Sequence, residues 1–477
     1  MPCYVSTNPR HHEDSDWARH EFAHAELGDA RRVNRAVEIA ADFAAHPGGS
    51  IAQACGCWSR TKAAYRFFDN DQIDPEALLA SHAKATQLRM REHPVVLCAQ
   101  DTTSLNYSTH PATEGLGPIA NNRDKTIGLL LHSTLAVTPE GEPLGVMHAQ
   151  ILARSKRTFG RSRRSSVRNR LKISQKESQK WLNSFQACQQ LAADCPDTQL
   201  VNLCDREGDL YELFAAALAP ASAAAVHVLA RAQHNRTVEH PQRHLWDLLA
   251  AQPVSAQLEV KVPRRQDGRP ARVAKLQVRF TPVTLRAPCL KDDQQPLTLW
   301  AVQACETHPP RGVEPVCWRL LTTVPVDSGE AAVRIVKWYA QRWQIEVMHK
   351  ILKSGCRLQQ RQLGTAARLR RVAMIDLIVA WRILGMTKAA RERPEAPASD
   401  WLEKNEWQAL VCYFEKTSQA PSRPPSLRQA IRWIAQLGGF LARRGDGEPG
   451  PVVMWRGLQQ LRAITAAWIR FGHAKCG

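Results

Sequence analysis

The spacing of apolar positions predicts helices at both ends of the chain and strands between them. Helical spacing covers residues 16–70, with a break at residues 47–49, and another helix is predicted at residues 75–92. Short apolar or alternating segments typical of strands occupy residues 94–101, 127–137, 144–153, 200–205, 226–231, 256–262, 275–280 and 297–304. The remaining predicted helices are residues 175–191, 335–353, 369–391, 401–415, 425–441 and 454–471. The pattern therefore indicates an α/β protein with helical ends.

Two of the predicted strands end in an aspartate, Asp101 and Asp205. A hairpin, with its turn at residues 139–143, and a helix separate them, and this order matches a ribonuclease-H-like sheet with the two acids on neighbouring strands. Carboxylates so placed repel each other, and a divalent metal ion relieves the repulsion. An aspartate at a strand end is more often only a turn former. Glu207 and Asp209 are close in sequence to the second acid, and we expect Asp209 to cap the helix that follows it.

The helix predicted at residues 335–353 carries one polar stripe. At roughly 100° per residue its polar members fall within an arc of about 60°; they are Tyr339, Arg342, Glu346 and Lys353. Two apolar flanks border the stripe, one of Ala340, Trp343, Val347 and Ile351 and one of Trp338, Ile345 and Leu352, with Lys337, Gln341 and Gln344 opposite. The stripe is about 21 Å long at 1.5 Å per residue, which suits an extended polyanion better than a small ligand. A solvated helix face with an ordinary Glu346–Lys350 ion pair is the alternative.

The charge balance adds a partner to this picture. Lys and Arg number 64 against 45 Asp and Glu, which gives a net charge of +19 and a pI near 9.7. Such a surplus favours nucleic acid or an anionic membrane as partner. The most apolar helical run, residues 374–386, is too short to span a bilayer and contains Asp376 and Arg382. The first residues lack the order of a signal peptide, so no membrane association is expected.

The 13 cysteines are an odd number and include no pair with the spacing of a zinc site. We expect reduced, mostly buried thiols in a cytoplasmic, nucleoid-associated protein.

The polar stripe also carries a resemblance. Two residues separate Tyr339 from Arg342, three separate Arg342 from Glu346, and six separate Glu346 from Lys353. This pattern resembles the YREK signature of bacterial cut-and-paste DDE transposases. This family includes the transposase of the kanamycin-resistance composite transposon. The likeness extends to residues 101–105, 205–211, 342–346 and 349–350.

The resemblance implies roles for individual residues. Asp101, Asp205 and Glu346 would be the catalytic acids and would hold two Mg²⁺ or Mn²⁺ ions, since oxygen ligands suit these metals. Tyr339, Arg342 and Lys353 would contact phosphates near a transposon end. Arg231 matches another DNA-contacting position, and Trp318 matches a residue thought to receive a base flipped out of the duplex. A core tryptophan on a strand is the alternative for Trp318.

Both ends of the chain resemble domains of the same family. Residues 16–18, 27–29, 31–32 and 64–67 resemble its end-binding domain, which implies that Arg31, Arg32, Lys62 and Arg66 touch DNA; arginines that merely face solvent are the alternative. Residues 437–440 and 455–457 resemble its dimerising domain. Residues 154–172 form a strongly basic segment where the better-known relative has an acidic loop. Phosphate contact and a solvated loop are equally open there.

We therefore expect a ribonuclease-H-like mixed sheet core with an inserted β-subdomain, flanked by N-terminal and C-terminal helical domains. The expected domains are residues 1–74, which bind end DNA, residues 75–365, which are catalytic with the insert at 235–326, and residues 366–477, which dimerise. The expected function is metal-dependent cut-and-paste transposition of double-stranded DNA by a homodimer. The alternatives are an inactive transposase-derived DNA-binding protein, a structure-specific nuclease and a basic structural protein.

Overall fold

Helices form the first part of the molecule. The computed structural model describes residues 16–120, 126–155, 171–219, 226–262, 271–288 and 295–471. Its first helices are α1 (Asp16–Phe22), α2 (Ala30–Ala45), α3 (Ile51–Cys55), α4 (Trp58–Asp69) and α5 (Pro75–Met90). Gly56, with a left-handed φ of 72°, ends α3. Its neighbour Cys57 is the N-cap of α4.

A mixed sheet follows. Its first strands are β1 (Val95–Asn106), the two-residue β2 (Gly117–Pro118), β3 (Ile127–Val137), β4 (Pro143–Leu152), β5 (Gln199–Cys204) and β6 (Val226–Arg231). β1 pairs antiparallel with β3, which pairs antiparallel with β4, while β1, β5 and β6 run parallel. Helices α6 (Gln179–Ala193) and α7 (Tyr211–Leu218) precede and follow β5. The order β4-β3-β1-β5-β6 is that of a ribonuclease-H-like sheet, as the sequence predicted.

The second half of the sheet is formed by the expected inserted β-strands. After α8 (Leu245–Ala250) come β7 (Ala256–Val262), β8 (Arg272–Leu285), β9 (Leu297–Glu306) and β10 (Cys317–Thr322). These strands are inserted in the sequence, yet they continue the same sheet in the order β6-β10-β9-β8-β7. β10 pairs antiparallel with β6, with Leu320 opposite Arg231. An open strand edge offers unpaired backbone groups, and β10 covers that edge of the core.

The last helices surround one long buried helix. α9 (Gly329–Ala340) and α10 (Trp343–Lys350) lead to α11 (Ala366–Glu392), α12 (Lys404–Glu415), α13 (Leu427–Leu437) and α14 (Pro451–Phe471). The charges within α11 have partners, because Asp376 pairs with Arg361 and Arg382 stacks on the Trp17 ring. Across the described ranges, no helix has both the length and the apolar character needed to cross a membrane.

The cysteine prediction was wrong for one pair. Cys305 and Cys317 form a disulfide, because antiparallel pairing of β9 with β10 sets them directly opposite, with their Cα atoms 4.1 Å apart. Their separation of 12 residues in sequence gave no sign of this. Of the free cysteines in the described residues, Cys57 is exposed and the others are buried.

Candidate active site

The two aspartates lie side by side at the point where β5 ends. The last parallel pair of β1 and β5 is Ala99 with Leu203, and Asp101 and Asp205 each lie two residues further on. The sequence had suggested that Asp101 ends its strand, but Asp101 lies within β1. β1 continues because β3 pairs with it as far as Asn106. The two carboxylates are at neighbouring positions on one edge of the core.

The acids near Asp205 have separate partners. Asp205 begins a short 3₁₀ turn and accepts a hydrogen bond from the backbone N–H of Glu207 at 2.8 Å. The Glu207 carboxylate is 3.6 Å from Lys180 and is largely exposed. Asp209 was expected to cap α7 but does not. It is buried and forms an ion pair with Arg236 at 2.8 Å. Asp209 is thereby bonded to the segment that follows β6. Asp205 is the acid that lies beside Asp101.

The predicted single helix at residues 335–353 is interrupted. α9 ends at Ala340, and the N–H groups of Gln341 and Arg342 bond to the carbonyls three residues earlier, at 3.0 and 3.1 Å. A tightened turn of this kind interrupts the regular α-helical hydrogen bonding between α9 and α10. Tyr339 is thus on α9, Arg342 in the turn, Glu346 on α10, and Lys353 in a wider π-turn at Ile351–Gly355.

One of the two expected apolar flanks is buried throughout, and the other is buried only in part. Trp338, Ile345 and Leu352 are in the core. In the other flank Ile351 is buried and Val347 is half-buried, whereas Ala340 is exposed and Trp343 is 61% exposed. Gln344, on the side opposite the stripe, is buried. Tyr339 is buried as well, whereas Arg342, Glu346 and Lys353 are only partly buried. These three members of the stripe therefore lie at the border between core and solvent, where a large ligand can reach them.

Arg342 sits among the acids. Its guanidinium forms an ion pair with Glu346, and the two side chains are 15% and 31% exposed. Burial raises the pKa of Asp101 to about 6, with Arg342 lowering it and the negative charges of Asp205 and Glu346 raising it further. All three acids and Arg342 therefore belong to one electrostatic cluster.

A histidine that the sequence gave no role joins this cluster. His349 lies one turn after Glu346; its Nε2 is 2.9 Å from the Ser133 hydroxyl and its Nδ1 is 3.9 Å from the Asp101 carboxylate. Burial and the charge of Lys353 lower the pKa of His349 to about 3, so the ring is neutral. The three residues have the order of a serine hydrolase triad, but Ser133 is fully buried between strands and no substrate could reach it. The sequence indicated a role for His349 only through its position in the segment 349–350, which is part of the resemblance to the transposase family.

The other predicted contacts of the stripe gather next to the acids. The Trp318 and Tyr339 rings meet edge to face, 5.9 Å apart. The Arg231 guanidinium donates to the carbonyl of Cys317 at 3.3 Å. Burial lowers the pKa of Arg231, whose neighbours include Arg342 and Asp205. Burial also lowers the pKa of Lys353, which Asp101 opposes. An aromatic surface and several cations thus border the carboxylates.

The predicted contacts at the N-terminus belong to a different part of the molecule. They lie on α2 and α4, which pack against α11. Lys62 and Arg66 are exposed, and the Arg31 side chain is 91% exposed but bonds to Asp29. Arg32 donates to the Leu27 carbonyl at 2.9 Å and also bonds to Gln72, so it already has partners within the protein. In the basic segment, Arg154 bonds to Glu177 at 2.7 Å, and residues 156–170 lie outside the described residues.

The donor set fits a hard divalent cation, although its members do not converge. Carboxylate oxygens are the ligands that Mg²⁺ and Mn²⁺ prefer. Within the parts of the chain that the structure describes, no three acidic, histidine or cysteine side chains are close enough together to hold a metal ion. Glu346 is instead bonded to Arg342. The residues supply the right atoms, and closing the set requires Glu346 to change partner.

Comparison with known proteins identifies both ends of the chain. Residues 14–73 match the family model described as transposase DNA-binding. Residues 378–474 match the one described as transposase Tn5 dimerisation domain. These matches support DNA binding and dimer formation, and the sheet lies between the two matched segments. A cryo-EM structure of a piggyBac transposase synaptic complex with hairpin DNA is 10% identical, with 81% of this chain and 74% of that chain covered, at a TM-score of 0.35. A TM-score this low supports no inference about activity.

Proposed function

We propose that this DNA transposase, so assigned by the domains at its two ends, cleaves DNA at the cluster of Asp101, Asp205 and Glu346. The observation that carries the proposal is the placement of two aspartates at adjacent positions of parallel strands, with Glu346 in the same cluster. A transposase cuts and joins DNA, and a cluster of acids beside a row of cations suits that chemistry. The YREK spacing of the sequence is consistent with it.

The three acids are the proposed ligands of two Mg²⁺ or Mn²⁺ ions. Such ions, when bound, activate a water or a 3′-hydroxyl and stabilise the departing oxygen in an in-line displacement. His349 holds no charge and is bonded to Ser133. It can therefore orient Asp101 without adding a cation to the ligand set.

The cations and rings near the acids bind the DNA strand. Arg342 and Lys353 pair with backbone phosphates, and Tyr339 adds a hydroxyl contact. Trp318 offers a flat surface on which an extruded base stacks, at a cost of only a few kcal/mol for leaving the duplex. Arg231 lies beside both groups. A flipped base of this kind accompanies the proposed hairpin intermediate, which is followed by excision and integration.

The remaining segments supply recognition and assembly. Residues 1–74 bind the transposon end through Arg31, Lys62 and Arg66, with Arg32 holding the Leu27 loop in place. Residues 75–365 form the catalytic domain, including the sheet extension at 235–326. Residues 366–477 join two subunits on two ends. The basic segment at 154–172 is a further proposed phosphate contact.

The alternative function is DNA binding without catalysis. The observation in its favour is that Glu346 is bonded to Arg342 and the acids do not converge. In this reading the chain descends from a transposase and occupies transposon ends without cutting them.

Cleavage of the element's own ends separates these functions. Purified protein with Mg²⁺ and a duplex bearing the ends of its own element is expected to release cut DNA. Glu346→Ala should still shift the duplex in a gel and should not cut it. Glu207→Gln, which alters an exposed acid near Asp205, is the matched control and should cut normally. Binding by the wild type without cleavage in either Mg²⁺ or Mn²⁺ would favour the binding protein.

A second assay separates a transposase from a nuclease that never joins strands. In a mating assay with a marked element, a transposase gives insertions flanked by short target duplications. Cut donor DNA with no insertions would identify a structure-specific nuclease. Competition with random DNA tests the basic structural protein, which would bind every sequence equally.

A further inference from the structure

The carboxylates of the candidate site have positively charged side chains as neighbours. Three carboxylates, those of Asp101, Asp205 and Glu346, share their surroundings with three cations. The cations are Arg231, Arg342 and Lys353. His349, which is buried against Asp101, is neutral and adds no charge. Divalent cations that entered this cluster would meet three positive side chains as well as the acids.

Arg342 is the cation that most directly takes a metal's place. It forms an ion pair with Glu346; burial acts to lower the pKa of Arg342, and the negative charges of Glu346 and Asp101 act to raise it. Its side chain is 15% exposed, so the pair is shielded from the water that weakens a surface ion pair. Consistent with this, the acids among the described residues do not form a set that could hold a metal.

A DNA phosphate can release Glu346 from this pair. The guanidinium is a planar fork that bonds equally well to a carboxylate or a phosphate. Arg342 lies in the turn between α9 and α10, at the border of core and solvent, with the exposed Trp343 next to it. A phosphodiester brought there adds negative charge, competes with Glu346 for the guanidinium and compensates incoming metal charge.

We propose that Arg342 is an internal counter-cation that occupies Glu346 until a DNA phosphate engages it, so that binding of DNA completes the metal site. Arg342 is in this sense a positioning residue for Glu346. The inference rests on the proposed function, because it takes Glu346 as a metal ligand. Its biological consequence is that the free protein holds metal weakly and does not cut DNA at random.

The test is Mn²⁺ binding by the full-length protein, followed through the electron paramagnetic resonance signal of free Mn²⁺. The titration is done with and without a pre-cut duplex of the transposon end, and Mn²⁺ bound by the duplex alone is subtracted. We expect the duplex to tighten Mn²⁺ binding by roughly tenfold or more, within the range usual for two coupled sites. Equal binding with and without the duplex would overturn the proposal, and this comparison needs no variant.

Substitution of Arg342 tests the mechanism of coupling. Arg342→Gln should bind Mn²⁺ without DNA about as tightly as the wild-type complex does, and the duplex should then add less than about twofold. Arg334→Gln, which removes an exposed arginine of α9 that stacks on Trp338, is the matched control and should behave as wild type. Weak Mn²⁺ binding by Arg342→Gln in the absence of DNA would contradict the proposal.

The outcomes for the gating and for the proposed function are distinct. Equal Mn²⁺ binding in both conditions, together with DNA cleavage, overturns the role of Arg342 and leaves the transposase site intact. Absence of Mn²⁺ binding even on the duplex, together with absence of cleavage, overturns both.

Discussion

Lys353 is the far end of the proposed phosphate grip. It is half-buried in the π-turn after α10, and burial lowers its pKa while Asp101 opposes that shift. A lysine placed there contributes one phosphate contact. Lys353→Ala should weaken binding of end DNA and reduce the slope of log K against log salt by about one unit. Binding isotherms over a salt series measure this, and an unchanged slope would remove Lys353 from the contacts.

Trp318 makes a separate contribution through its ring. It lies edge to face against Tyr339 on the strand next to β6. Stacking of one base on an aromatic side chain contributes roughly 1 to 3 kcal/mol. Trp318→Ala should therefore reduce the fluorescence of 2-aminopurine at the flipped position of an end duplex, and Trp318→Phe should restore part of it. The same signal from Trp318→Ala and wild type would assign the ring to the core alone.

At the scale of single residues, the candidate acids could be predicted from the sequence, but the bonding partners of the side chains could not. Asp101 and Asp205 were predicted as candidates because each follows an apolar run of residues. The bond from Arg342 to Glu346 and the contact of His349 with Ser133 depend on how α10 lies over the strands. The same is true of Cys305 and Cys317, which only the register of β9 and β10 brings together.

Arginines of α11 bond to the N-terminal helical segment, in addition to the apolar core that the two share. Arg371 is buried and donates to the carbonyls of Phe68 and Ile73 at 2.9 and 2.8 Å, and to Asp71 at 2.9 Å. Its removal leaves buried carbonyls without a donor, so Arg371→Ala should lower the free energy of unfolding by roughly 3 kcal/mol.

A neighbouring arginine on the same helix is the control. Arg368 pairs with Asp69, and both side chains are substantially exposed. Arg368→Ala should therefore cost less than about 1 kcal/mol. Urea unfolding measures both variants, and equal effects would contradict the view that Arg371 anchors the end-binding helices.

At the scale of elements, periodicity placed the strands well and missed one interruption. β3 was predicted with its observed bounds, and β5 and β6 to within a residue or so. The helix at residues 335–353 was not predicted to break, because the sequence around Gln341 and Arg342 has no proline or glycine. Gln341 instead bonds to the Pro139 carbonyl in the β3–β4 turn, and such a tertiary contact leaves no periodic signal.

A buried carboxylate, that of Glu21, links α1 with α5. The Glu21 carboxylate bonds to His82 and forms an ion pair with Arg89 at 2.8 Å. The other ring nitrogen of His82 accepts a hydrogen bond from the Val146 N–H at 2.9 Å. Burial acts to raise the pKa of Glu21, but His82, His20 and Arg89 outweigh it and hold that pKa well below its usual value.

A carboxylate with a lowered pKa gives pH-dependent stability. The contribution of Glu21 is present above its unfolded pKa, near 4.5, and is lost as pH falls toward the folded value. Glu21→Gln should be less stable than wild type by roughly 2 kcal/mol at pH 7, and the difference should shrink below pH 4.5. Urea unfolding at several pH values tests this. A constant difference down to acid pH would mean that the charge of Glu21 is not involved.

At the scale of the whole molecule, the order of the acids predicted the core sheet and the charge surplus predicted the partner. The inserted strands were predicted, but alternation within β7 to β9 specifies strands and not their neighbours. Only the structure shows that β10 pairs with β6 and joins the insert to the core sheet. The matches at residues 14–73 and 378–474 support DNA binding and dimer formation.

The central claim is that Asp101, Asp205 and Glu346 act as one catalytic set. Single-turnover cleavage of an end duplex by Asp101→Asn, Asp205→Asn and Glu346→Gln tests it most directly, with Glu207→Gln as the matched control and gel shifts to verify binding. Loss of one ligand removes several kcal/mol of transition-state stabilisation, so each of the three should cut about a thousandfold more slowly than wild type. The control should stay within about twofold of wild type. Cleavage near the wild-type rate by any one of the three would contradict the account.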